Sequence, residues 1–149
     1  MIPSTAKRVE RNTSQQVNRQ IEADIRNSVR WHAARPERIE SRLRQLDREW
    51  DVERVLEANA ASLALFGVLL GATVDRRFRA VPAIVPAFLL QHAVQGWCPP
   101  VPILRRFGIR TAREIHKERS ALKAIRGDFA RVQGADDPVS AALQAAALS

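Results

Sequence analysis

The residues best suited to chemistry in this chain are Cys98 and, six positions before it, His92. A cysteine followed by Pro99 and Pro100 near a helix end can present a reactive interfacial thiol, open to persulfidation, oxidation or an intermolecular disulfide. The plainer reading is a small apolar side chain packed under the proline loop beside Trp97. Because Cys98 is the single cysteine, no intramolecular disulfide can form and a secreted disulfide scaffold is excluded. His92 and Cys98 together lack two of the ligands that a structural zinc needs. Counted outward from the charged connector at Asp75–Arg79, His92, Gln91 and Gln95 fall at the depth of Asn59 and Ser62. Such a cluster either hydrogen-bonds between two helices and sets their register, or forms a proton or ligand site centred on the imidazole. The first reading is favoured, because no Asp or Glu lies in either uncharged run to pair with His92. No catalytic constellation emerges, so the residues read as a non-enzyme without cofactor or metal.

The elements that position these residues follow from the charge pattern. Apolar residues concentrate between Ala58 and Ile109, whereas the first fifty residues and the stretch after Arg110 are crowded with Arg, Glu and Gln. A soluble bundle spreads its apolar stripe over every helix, so this segregation points elsewhere. Residues 1 to 13 are polar and expected to be frayed. Val17, Ile21, Ile25 and Val29 then recur at helical spacing up to about Ala34, and Ile39, Leu43, Leu46 and Trp50 repeat the pattern after Pro36. Residues 58 to 74 carry no charge and reach roughly 25 Å as a helix, against a hydrocarbon core of roughly 30 Å. A second uncharged run covers residues 80 to 104, and its helical part is expected to stop near Cys98, where Pro99, Pro100 and Pro102 remove backbone donors. Thr111 to Glu114 form a capping-box pattern that starts a further helix, with Ile115, Leu122 and Ile125 on one face and Gly127 ending it. Asp137-Pro138 opens an Ala-rich tail.

The fold expected from this pattern is all-α: a two-helix transmembrane hairpin flanked by amphipathic N-terminal helices and a soluble C-terminal helix. In sequence order that is a basic helical arm over residues 1–50, the hairpin over 51–111, and a basic helix with its tail over 112–149. In an antiparallel hairpin the beginning of the first helix and the end of the second share one membrane face. Trp50 and Arg54 occupy one of those ends, and Trp97, Arg105 and Arg106 the other, as interfacial anchors do. Both termini are then cytoplasmic in a bacterial inner membrane by the positive-inside rule. Arg76, Arg77 and Arg79 in the connector run against that rule and must snorkel to the far interface. Gly67 and Gly71 form a GxxxG pattern, which serves a homodimer or the packing of one hairpin helix on the other.

The stretch Gly96-Trp97-Cys98-Pro99-Pro100 through Phe107-Gly108-Ile109-Arg110-Thr111 resembles the signature that closes the YgaP-like transmembrane domain, a bacterial inner-membrane family. Asp51-Val52-Glu53-Arg54 resembles the charged lead-in to that family's first helix, so the resemblance covers about residues 51–111. It implies a two-helix inner-membrane hairpin that tends to self-associate, in a family largely without assigned function. Some members carry a rhodanese sulfurtransferase domain. This chain shows no alternation of strand and helix, and sulfurtransferase activity is not carried over.

The net charge of +8 implies an anionic partner. The leading expectation is an anionic phospholipid membrane, with a cytoplasmic protein partner for the arms. A soluble helical nucleic-acid-binding protein is the alternative, but glutamates interleave the arms and no reader motif is present. A thiol- or sulfur-handling membrane protein using Cys98 is the third.

Overall fold

The computed structural model describes residues 7–130, 132 and 134–147, and among these the regular elements are all helical. The first six residues of the stretch expected to be frayed lie outside the described ones. The next seven do not fray: Arg8–Arg11 form a short helix, α1, whose Val9 is buried. Polarity misled here, because one apolar residue seated in a core is enough to hold a single turn.

The helix α2 spans Gln15–Ala33 and buries Ile21 and Ile25. A 3₁₀ turn at Pro36–Arg38 leads into α3, Ile39–Arg48, whose Ile39, Leu43 and Leu46 are buried at the expected spacing. Trp50 does not continue that stripe. The chain turns extended at Glu49, and Asp51 caps a new helix by accepting a 2.8 Å hydrogen bond from the Arg54 N–H. That helix, α4, runs Val52–Thr73.

A 3₁₀ turn at Arg76–Ala80, capped by Asp75, connects α4 to α5, Val81–Gln95. Proline stands in the first turn of α5, where its missing N–H costs nothing. Gly96, at φ 74°, closes α5 in the left-handed region and donates 2.7 Å to the His92 carbonyl. The proline-rich segment beyond it is not all loop. Val101–Arg106 form a short helix, α6, in which Pro102 sits within the first turn. Ala112–Arg126 make α7, ended by Gly127 at φ 90°, and Pro138–Ala147 make α8.

By packing, the chain divides into two units that regroup the three successive segments expected from the sequence: residues 1–20 with 50–112, and residues 21–49 with 113–149. In the first unit α4 and α5 lie antiparallel, and Val9, Val52, Leu56, Cys98 and Val101 form a core with Leu89, Leu104 and Ile109 against it. In the second unit Ile39, Leu43, Leu46, Ile115 and Leu122 form another, with Val29 packed on it. Ile125 was expected on that face but is exposed, whereas Glu118 is fully buried there. Arg42 binds Glu118 through two nitrogens, Nε to Oε1 at 2.9 Å and Nη2 to Oε2 at 3.1 Å, and the Ser28 hydroxyl donates to Oε1 at 2.5 Å. The Arg119–Asp47 and Arg126–Glu40 pairs flank it.

Candidate functional site

The chemistry-bearing residues gather at the open end of the hairpin, where α4 begins and α5 ends. Trp50 and Trp97 are exposed there, and the Arg54 guanidinium lies 4.7 Å from the Trp50 ring centroid. Arg106 is exposed as well. Arg105 is not an anchor. It is 1% exposed, and its guanidinium donates to the Thr13 hydroxyl at 3.2 Å, the Asn18 carbonyl oxygen of the side chain at 3.1 Å and the Ile109 backbone carbonyl at 3.1 Å. A guanidinium so enclosed cannot reach a headgroup. It ties the N-terminal segment to α6 instead.

That segment also caps α5. The Asn12 amide donates 3.1 Å to the Gln95 carbonyl, one of the acceptors that a helix C-terminus leaves open. Arg8 lies against Gly96 and pairs with Glu53 at 3.8 Å. Beside this pair His92 is 4% exposed. Four buried polar atoms here make no hydrogen bond: Nδ1 and Nε2 of His92, Nε of Arg8 and Oε2 of Glu53. Arg8 and Glu53 are the charged groups that act on the imidazole. Neither was foreseen as a site residue, although Glu53 lies within the charged lead-in, next to Arg54.

The other members of the expected polar cluster do not bridge the two helices. Asn59 and Ser62 donate to carbonyls four residues back on α4, at 2.8 and 2.7 Å, and Gln91 reaches Gln95 on α5 at 3.5 Å. Helical geometry offers a polar side chain a nearby backbone acceptor, and here that local bond wins. The hairpin register rests instead on the two glycines, both buried. A Cβ on Gly67 would meet the Val81 Cβ at 2.7 Å, and one on Gly71 the Arg79 Cγ at 2.8 Å. The GxxxG pattern is thus occupied within the chain. Arg79 further donates 3.2 Å to the Gly71 carbonyl.

Cys98 is buried in the core of this unit, and burial pushes its thiol above the ordinary range. It borders an apolar recess of about 240 Å³ between α4, α5 and the proline segment, lined also by Leu56, Leu63, Phe88 and Pro100. This is the setting of a packed thiol, since nucleophilic ones need a cation or helix N-terminus to favour the thiolate. Among the described residues no three of His, Cys, Asp and Glu come together as a metal site.

The outer surface of the hairpin helices is apolar and uncovered. Phe66 on α4 is 62% exposed and Leu90 on α5 is 68% exposed, with Leu65, Val68, Leu69, Ile84 and Val94 likewise in the open. Among the described residues one stretch, Pro36–Thr73, which takes in α3 and α4, holds a segment long and apolar enough to cross a membrane, and 17% of that segment is buried.

The second unit offers a polar recess of about 410 Å³ bordered by Trp31, His32, Arg38 and Arg42. Its polar groups are largely spent on one another: Arg42 and Ser28 on Glu118, and the Ser41 hydroxyl on the Arg38 carbonyl at 2.9 Å. Arg35 stacks on the Trp31 ring at 4.4 Å. On the same unit Lys117 hydrogen-bonds both oxygens of Glu22 and holds its carboxyl below the usual range.

The chain matches no family model, no curated protein and no solved structure. The residues and their geometry therefore carry the functional reading.

Proposed function

We propose that this is a small integral protein of the bacterial inner membrane, with α4 and α5 inserted as a hairpin and both termini cytoplasmic. The observation that carries the reading is the uncovered apolar surface of the hairpin. A core helix of a soluble protein is apolar all round because it is buried all round. Here the apolar segment of membrane-crossing length is 17% buried, and large side chains such as Phe66 and Leu90 face outward. In water each such side chain forgoes about 1.5–3 kcal/mol of burial, and a bilayer restores it.

The flanks agree, and the lengths make the hairpin shallow. The uncharged part of α4, from residue 58 to its end, reaches roughly 24 Å and the 15 residues of α5 roughly 22 Å, each short of a hydrocarbon core of roughly 30 Å, which local thinning of the bilayer accommodates. Trp50, Arg54, Trp97 and Arg106 mark the cytoplasmic end, and Arg76, Arg77 and Arg79 snorkel at the other. The resemblance of residues 51–111 to the YgaP-like transmembrane domain supports the same placement. The protein serves a structural or interaction role: its basic helices bind anionic headgroups or a cytoplasmic protein partner.

Membrane fractionation with an alkaline carbonate wash tests the proposal. The full chain stays in the pellet; recovery in the supernatant means that the hairpin is not inserted.

A further inference from the structure

We infer that His92, Glu53 and Arg8 form a buried proton-binding site, in which protonation of the imidazole transfers the Glu53 carboxylate from Arg8 to His92. Three observations converge on it. The imidazole is 4% exposed and neither ring nitrogen has a hydrogen-bond partner, so in either tautomer the unprotonated nitrogen is free to take a proton. Glu53 from α4 and Arg8 from α1 are the charged groups whose fields reach it, and Arg8 lies on Gly96, whose N–H bonds the His92 carbonyl. Their mutual contact is loose for an ion pair, at 3.8 Å, and each keeps a buried polar atom unused. A tight Arg–carboxylate pair closes at about 2.7–2.9 Å and spends both oxygens. The Oε2 of Glu53 is therefore available to a second cation.

The states balance simply. With the imidazole neutral, Glu53 and Arg8 cancel each other. When a proton from solvent enters on Nδ1 or Nε2, two cations share one carboxylate, and Glu53 is the anion among the described residues that acts on the buried one. Histidine is the side chain whose ordinary pKa lies closest to neutrality. Arg8, whose side chain is 22% exposed, can turn to solvent whereas His92 cannot. Protonation thus loosens Arg8 from Gly96, against which it packs, and weakens the seat of α1 on the end of α5. Asn12, Thr13 and Val9 keep the rest of the segment attached. The site does not depend on the hairpin lying in a bilayer.

The test follows the His92 imidazole nitrogens by NMR in the full chain in detergent micelles, with the His92→Gln spectrum separating His92 from His32 and His116. Glu53→Gln lowers the His92 titration midpoint and Arg8→Gln raises it, each by about one pH unit. In the parent chain, exchange of the α1 amides relative to their intrinsic rates increases as pH falls through that midpoint, and in His92→Gln the increase is absent. Glu53→Gln keeps side-chain volume nearly constant, Arg8→Gln removes the charge with a shorter polar side chain, and circular dichroism checks that each variant stays helical. A midpoint that neither substitution moves overturns the inference, as does an α1 exchange profile identical in the parent and in His92→Gln.

Discussion

Gly96 lies beneath Arg8 so closely that a Cβ on the glycine would stand 2.5 Å from the Arg8 Cβ and 2.7 Å from its carbonyl carbon. The same glycine is at φ 74°, where a side chain is strained regardless of space. Gly96→Ala therefore meets two penalties at once. Strain alone costs about 1–3 kcal/mol, and the overlap with backbone adds to it. A chemical-denaturation series in micelles, read by helicity, shows the midpoint falling. Gly108, also at positive φ but with nothing near its missing Cβ, serves as the control that carries strain alone.

Gly67→Leu distinguishes the two uses of the GxxxG pattern. Since a Cβ there already meets Val81 and Pro82 at 2.7 and 2.8 Å, the substitution pries α4 from α5 and costs about 1–3 kcal/mol of overpacking. Sedimentation equilibrium in detergent finds the same mass for parent and variant, while the unfolding midpoint falls. A variant of unchanged stability and reduced mass would assign the motif to a dimer.

The Arg42–Glu118 pair is the buried electrostatic joint of the second unit. Glu118→Leu leaves Arg42 without its bidentate partner and costs about 3–5 kcal/mol, by the usual penalty for breaking a buried pair from one side. The double variant Arg42→Met with Glu118→Leu recovers most of that loss, because both desolvated charges are gone. The pair of melting curves measures it. A double variant no better than the single one contradicts this account.

Cys98 alkylates slowly with maleimide in the folded chain, and at least about tenfold faster once denaturant opens the core. Because burial raises its folded pKa, the thiolate grows in only above the ordinary thiol range, so the native rate keeps climbing beyond pH 9. A native rate equal to that of a free thiol at neutral pH supports the sulfur-handling reading instead.

Much of this fold was legible from local pattern. The stripes through Ile21 and Ile25 and through Ile39, Leu43 and Leu46, the charged connector and the helix after Thr111 all depend on spacing along the chain, which is what a one-dimensional reading detects, whereas the stop expected near Cys98 comes earlier, at Gly96. Helix α6 was hidden by its prolines, since the residue that breaks a helix interior also suits a first turn.

Composition and period, which need no partner, set the apolar character of residues 58–74 and 80–104, the basic character of the flanks and the helical nature of both. Where the charges end up depended on how the helices pack. Arg105 and Arg106 are neighbours of one type, yet the first is a core residue tied to Thr13 and Asn18 while the second is exposed. His92 lacked a carboxylate in its own run, and Glu53, distant in sequence, is brought beside it along with Arg8. Burial and pairing are set by long-range packing, and the identity of a side chain carries no record of which distant residue will face it.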